Sequence, residues 1–457
     1  MKLIYGIHDK PKFGQMIIFA FQQLLAILAA TIAVPAIIGN DMSASAALFG
    51  AGAGTLIYQL FTKFRSPVFL GSSFAFIGSM LAAFGGAASM QAGYAGILIG
   101  AALAGLVYVI IALIVKFVGV GWINKLMPAV VIGPTVAIIG LSLAVNAVGD
   151  LLKGDIANAE GMLTSPYVAF ICGLVTLFVV VIASTYGKKM ARLIPFILGI
   201  LAGYAAALIF TLIGDATGND ALRVIDFAPF KALFADGISF TTFVSVPDFS
   251  FVKALEGIKK INLDYILTVA VAYIPVAFVV FAEHIADHKN LSTVIEKDLL
   301  EDPGLHRTLL GDGVGSIVGA FFGGCPNTTY GESVGCVAIT RNASVATITT
   351  TAILSILIAF VSPFVAFLDT IPACVMGGVC ITLYGFIAVS GLKMVQKVDL
   401  EKNRNLFVVS TILICGIGGL TLTFGKVTLT SIACALILGI LVNVVLSGKK
   451  DEEETAE

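Results

Sequence analysis

The amino-acid sequence predicts an all-α polytopic membrane protein whose fourteen transmembrane segments form two inverted repeats of seven. Three observations carry this. The 457 residues are 58% hydrophobic and only 12% charged, with mean hydropathy +1.02, whereas a soluble chain holds about 25% charged residues. The apolar residues fall in runs of about 20, the length that spans a bilayer. The polar stretch 214–263 divides those runs into seven and seven. An odd number of crossings per half sets the two halves in opposite orientations. The net charge of −1 gives no field that would draw nucleic acid. The lipid bilayer is the partner that composition implies.

In chain order the apolar segments lie at 13–39, 44–62, 66–85, 93–117, 126–148, 165–186, 191–213, 264–286, 308–324, 325–340, 344–368, 371–392, 405–424 and 428–447. The first follows the polar "MKLIYGIHDKPKFGQ", which lacks the cleavage site of a signal peptide. The third and tenth, "SPVFLGSSFAFIG" and "CPNTTYGESVGCVAI", are short and interrupted by Pro, Gly, Ser and Thr. Irregular backbone at membrane depth is tolerated only where protein or a polar cavity satisfies it. Two short antiparallel strands, one in each of these segments, would satisfy each other, with a half-helix beyond each. The fifth and twelfth segments open on one pattern, P-A-x-V-x-G, at Pro128 and again 244 residues later at Pro372. Broken segments in matching places of two halves point to a transport site.

Lys and Arg set the orientation. With the N-terminus in the cytoplasm, 20 of the 27 lie inside. Lys153, Arg223, Lys231, Lys253, Lys259, Lys260 and Lys426 are the seven outside. Both termini are then cytoplasmic. The seven cysteines sit inside apolar runs without a CxxC pair and read as small buried hydrophobes rather than metal ligands.

Ionisable residues at membrane depth are costly and are therefore candidates for function. Glu283 and Asp287 in "FAEHIADHKN", Asp312 in "LLGDGVG" and Glu332 in "TTYGES" qualify, with no deep Lys or Arg evident to neutralise them. Glu283 and Asp287 are four apart and share a helix face. His284 lies about 100° round the helix, where it packs or bonds a neighbouring helix. His288 is expected at the cytoplasmic boundary. Asp312 either supports the site from a neighbouring helix or caps a helix end. Glu332 follows Gly331 at the break, where free backbone N–H groups meet the positive end of a half-helix. "GSSFAF" repeats this in the first half: Ser72 and Ser73 can bond local backbone, and Phe74 offers its N–H and a ring. Tyr330 supplies an aromatic wall.

These groups select a solute. Carboxylates accept from N–H donors, and free backbone N–H groups donate to carbonyls. A small, flat, neutral molecule with alternating N–H and C=O fits between Phe74 and Tyr330. A carboxyl group taken out of water favours its protonated form, so proton coupling is expected, with the proton gradient as driving force and no cofactor. An inorganic anion would instead call for Arg. An intramembrane aspartyl protease would need GxGD, and "LLGDGVG" lacks the first of those glycines. The expectation is a transporter, not an enzyme.

The motifs "GSSFAFI", "FAEH", "KDLLEDPGLHR", "PNTTYGES" and "AITR" resemble those of the bacterial uracil permeases in the nucleobase–ascorbate transporter family. The resemblance runs from "FAFQQLL" near residue 19 to the last segment. It implies a core domain from residues 1–125 and 264–368 and a gate domain from 126–213 and 369–448, with an extracellular loop at 214–263 and a cytoplasmic tail at 449–457. It implies uracil between the two strands, with Glu283 and Glu332 on its ring N–H groups and the backbone N–H groups of Phe74 and Gly331 on its carbonyl oxygens. Ser73 and Tyr330 complete that set. Glu332, with Glu283 and Asp287, is tied to proton coupling. The implied location is the bacterial plasma membrane, with a homodimer formed through the gate domain. Three positions depart from the family pattern. Asp287 stands where uracil permeases often carry His and purine-type members Asp. Ser333 replaces an Asn, and Gln22-Gln23 replaces a Gln-His pair. Glu332 itself is the pyrimidine-type choice. A xanthine or uric acid permease is the second expectation, and an anion transporter of the same fold the third.

Overall fold

The computed structural model describes residues 3–119, 121–158, 161–188, 190–235, 237–424 and 427–447. Lys2, Lys189, Lys426 and the tail 449–457 lie outside the described residues. The chain folds into α1 (Phe13–Ile38), α2 (Ala44–Phe61), β1 (Leu70–Ser72), α3 (Ile77–Gly85), α4 (Met90–Val118), α5 (Ala129–Ser142), α6 (Pro166–Tyr186) and α7 (Pro195–Thr217). It continues through α8 (Leu263–Ile295), α9 (Leu305–Gly323), β2 (Asn327–Thr329), α10 (Gly331–Thr340), α11 (Val345–Ile358), α12 (Ala373–Val395), α13 (Asn403–Ile417) and α14 (Ser431–Ser447). Among the described residues, eight helices are long and apolar enough to cross a membrane. The protein is therefore a mostly helical, multi-pass membrane protein with a small antiparallel strand pair.

The helix starts follow from capping chemistry. Ser43, Ser89, Asn262 and Ser344 each accept the N–H three residues on, at 3.2, 3.3, 2.8 and 3.4 Å, which satisfies a donor that the helix itself leaves free. Pro128 and Pro372 sit just before α5 and α12, so the repeated P-A-x-V-x-G pattern is two helix starts.

Glycines set the packing. On α9, Gly311, Gly315, Gly319 and Gly323 recur every four residues, and Gly50 and Gly54 do so on α2. A Cβ on Gly50 would lie 2.6 Å from the Gly319 carbonyl oxygen, and one on Gly54 2.7 Å from that of Gly315. The backbones touch. Between lipid-solvated helices that close contact is the main attraction, since lipid tails are as apolar as the side chains. The same device joins α5 to α12, where a Cβ on Gly391 would lie 2.3 Å from the Ala137 nitrogen. The packing forms two groups. In one, α2 packs on α9 and α11, α4 on α8 and α9, and α1 on α11. In the other, α5 packs on α12 and α13, α6 on α7 and α12, and α13 on α14. Contacts of α1 with α7 and of α8 with α5 join them.

The two broken segments meet. β1 and β2 pair antiparallel in the register Leu70 with Thr329, Gly71 with Thr328 and Ser72 with Asn327. The Ser73 N–H extends the ladder to the Pro326 carbonyl at 2.9 Å. Each strand runs into a helix, α3 by way of a 3-10 turn at Phe74–Phe76 and α10 directly. Two helix N-termini therefore converge where neither segment is helical.

Three regions differ from the expected segmentation. The run 344–368 divides into α11 and a short helix Ser362–Asp369 carrying a proline in its first turn. The run 126–148 divides at Leu143 into α5 and Ala144–Asp150. Both breaks fall inside runs whose average is apolar, with a single serine, Ser142 or Ser362, beside each, so mean hydropathy does not mark them. The stretch 214–263 is not bare loop: it holds short helices Ala228–Leu233, Phe240–Phe243 and Ser250–Gly257. The last packs on α4, with Gly257 against the Gln91 carbonyl so closely that no Cβ fits.

Candidate functional site

A cavity of about 410 Å³ opens between the two packed groups at the strand pair. Thr328–Glu332 form one wall, Glu283, Asp287 and Asn290 of α8 a second, and Val136, Phe196 and Phe386 of α5, α7 and α12 face them. Phe74 closes one end, its ring edge-on to Tyr384 of α12 at 5.5 Å. Exposed Asn290 and Arg192 lie towards the other. That volume falls within the usual range for small-molecule sites.

Six residues singled out from the sequence line this space: Phe74, Glu283, Asp287, Tyr330, Gly331 and Glu332. They come from segments far apart in the chain, and the strand pair is what gathers them. Tyr330 is buried and its hydroxyl donates to the Ser72 carbonyl at 2.8 Å. Its ring lies against Gly71, where a Cβ would sit 2.4 Å from ring carbons, so Gly71 leaves room for that wall. Gly331 and Glu332 begin α10, and the first amides of a helix have no partner within it. Their partial positive charge adjoins Glu332. Ser73 is placed otherwise. It is fully buried behind Phe74, does not line the cavity, and its N–H is engaged with Pro326.

Asp287 is held by a residue that sequence reading passed over. Thr329 Oγ1 donates to Asp287 Oδ2 at 2.7 Å, tying α8 to β2. Gln23 and Ser333, noted only as departures from a pattern, also prove to be partners. Ser333 Oγ accepts from Gln23 Nε2 at 2.6 Å and from the Phe69 N–H at 3.3 Å. One hydroxyl thus joins α1, the approach to β1 and the first turn of α10. Nothing in the local sequence around either residue signals the other.

The remaining ionisable groups sort by position. Among the described residues, Arg192 is the one cation that lines the cavity, on the exposed connection between α6 and α7. His284 bonds a neighbouring helix, with Nδ1 2.7 Å from Asp312 Oδ2 and Nε2 3.0 Å from Thr308 Oγ1, both on α9. Asp312 therefore stands behind the cavity. His288, expected at the cytoplasmic boundary, is covered by protein. It is fully buried, with Nδ1 2.8 Å from the His284 carbonyl and Nε2 2.8 Å from Tyr58 Oη. Hydropathy of the following residues marks where the helix emerges, not whether another helix covers it.

This arrangement can bind a flat, uncharged ring. Carboxyl groups on two sides can accept hydrogen bonds, the start of α10 can donate them, and the Phe74 ring closes one end.

Residues 14–425 match the model of a family described as the Permease family. The chain is 38% identical over 456 residues to the uracil permease of Bacillus caldolyticus, covering 99% of this chain and 97% of that one. It is 36% identical over 461 residues to the uracil permease of Bacillus subtilis (strain 168), covering 100% and 98%. Among solved structures, the transmembrane domain of the cyanobacterial bicarbonate transporter BicA superposes with a TM-score of 0.60 at 15% identity, covering 97% of this chain and all of that one. At that identity the likeness is one of fold.

Proposed function

The chain belongs to the Permease family, and on that premise we propose that it imports uracil across the plasma membrane by proton-coupled alternating access. It is a transporter and not an enzyme. The observation that carries the reading is the cavity itself, which sets Glu283 of α8 and Glu332 at the start of α10 around one space beside the strand pair. Uracil presents two ring N–H groups and two carbonyls. The carboxylates accept the former, and the backbone N–H groups of Phe74 and Gly331 donate to the latter. Near full-length likeness to two uracil permeases supports the same solute.

The finer architecture belongs to the same proposal. Fourteen crossings as two inverted sevens are supported by the strand pair and by the matching starts of α5 and α12. The two packed groups support a core domain from 1–125 and 264–368 that rocks against a gate domain from 126–213 and 369–448. Arg192 and Asn290 lie on the side that the Lys and Arg distribution assigns to the cytoplasm, so the cavity is inward-facing, with both termini on that side. Glu332, Glu283 and Asp287 carry the coupled proton. A homodimer through the gate domain completes the reading.

One observation favours a second solute class. Asp287 lines the cavity one turn beyond Glu283, where a third carboxylate would suit the additional N–H of an oxopurine such as xanthine or uric acid. An anion is disfavoured by three carboxylates against one exposed Arg. Uptake of labelled uracil into cells lacking their own permease, challenged with xanthine, uric acid and sulfate at two external pH values, tests all three. Uptake that ignores nucleobases would refute the proposal.

A further inference from the structure

Behind the cavity, α4, α8, α9 and β2 enclose a second, much smaller void of about 10 Å³. Its polar lining is Tyr108, Asp312, Ser316 and Asn327. Tyr108 is 4% exposed and Asp312 1%, and neither Tyr108 Oη nor Asp312 Oδ1 has a hydrogen-bond partner among the described residues. One is a hydroxyl that can donate and the other a carboxyl oxygen that accepts. Buried polar groups of this kind are nearly always satisfied, by protein or by ordered water. We propose that this void is a binding site for one water molecule, which accepts from Tyr108 Oη, donates to Asp312 Oδ1, and completes a chain from Tyr108 through Asp312 to His284.

Volume and chemistry favour water. One molecule needs roughly 10–15 Å³ of such space and two to four polar partners. Asn327 Nδ2 already donates to the Gly50 carbonyl at 3.1 Å, so Tyr108 Oη and Asp312 Oδ1 are the two partners the void offers. A hard cation would need about six oxygens around it, more than the four polar side chains here provide.

The chain gives Asp312 a stated function. Thr308 donates its single hydroxyl proton to the Leu305 carbonyl at 3.0 Å, so His284 Nε2 is the donor in its 3.0 Å contact with Thr308. One further proton then lies between His284 Nδ1 and Asp312 Oδ2, 2.7 Å apart. A water donating to Oδ1 holds the carboxyl in the orientation that meets Nδ1. His284 adjoins Glu283, so the water and Asp312 act as positioning groups for the cavity face of α8. The site does not depend on which solute is carried.

The test is a structure of the full-length protein in lipid nanodiscs at a resolution that shows ordered water, for the parent and for Tyr108→Phe. The expected result is one density peak in the parent, within hydrogen-bond distance of both Tyr108 Oη and Asp312 Oδ1, that is lost in Tyr108→Phe together with the 2.7 Å alignment of the Asp312 carboxyl on His284 Nδ1. An empty void in the parent overturns the proposal. So does a peak with several short oxygen contacts that vanishes in sodium-free buffer, which identifies a cation. A peak unchanged in Tyr108→Phe removes Tyr108 from the chain and overturns it as well.

Discussion

The Cβ position of Gly331 lies 3.9 Å from Asp287 Oδ1, with nothing else within 4 Å. The start of α10 and the second acid of α8 thus look at each other across open space. A methyl group there strains no neighbour but enters the proposed uracil site. Gly331→Ala is expected to raise the KM for uracil roughly tenfold, about 1.4 kcal/mol, with the unfolding temperature unchanged. An unaltered KM would place the solute elsewhere.

Glu332 supplies both an acceptor and, in the proposed mechanism, the coupled proton. Glu332→Gln keeps an acceptor oxygen but cannot ionise. In proteoliposomes, uracil-driven proton entry should vanish while some uracil binding persists. Full coupling in this variant would remove Glu332 from the proton path.

Thr329→Val removes the bond to Asp287 at nearly constant volume. An intramolecular hydrogen bond contributes about 0.5–1.5 kcal/mol net, and the freed Asp287 oxygen would face the cavity. Competition by xanthine should strengthen relative to that by uracil. An unchanged competition series would show that Asp287 has no part in choosing the ring.

Gly50→Ala forces a methyl against the Gly319 carbonyl. Overpacking of this kind costs about 1–3 kcal/mol, so the apparent unfolding temperature should fall. Gly385→Ala, at a helical glycine with nothing within 4 Å of its Cβ position, is the control and should not lower it. Equal behaviour would mean that α2 and α9 do not depend on backbone contact.

Asp155 lies in the connection between α5 and α6, outside the spanning helices. Burial pushes its carboxyl up to about 7, against the pull of the Ala373 N–H that it accepts at the start of α12. The folded protein therefore binds this proton more tightly than the unfolded chain. Its stabilising effect is full below the ordinary carboxylate range and is lost as pH rises through about 7. Asp155→Asn should make thermal stability less dependent on pH between 5 and 8 and raise it at pH 8. A parent protein equally stable at both pH values contradicts this.

Much of the cavity was legible in the sequence because charges and broken helices are rare at membrane depth. Glu283, Glu332 and the breaks around Gly71 and Gly331 stand out against apolar flanks for that reason alone. The glycines of α9 recur every four residues, but nothing in that spacing names α2 as their partner. Partners across space left no such mark. Gln23 and Ser333, or Thr329 and Asp287, are ordinary polar residues until two helices bring them to within 3 Å.

The sequence by itself determined what must lie in the bilayer and which residues cannot rest there without a purpose, because the cost of burying charge and unpaired backbone is local. The tertiary structure alone decided who satisfies whom. It paired β1 with β2, covered His288, set Ser73 behind the cavity and turned Asp312 towards His284 and away from the cavity. Those outcomes depend on how closely glycine-lined helices approach, and that distance is a property of the pair rather than of either segment.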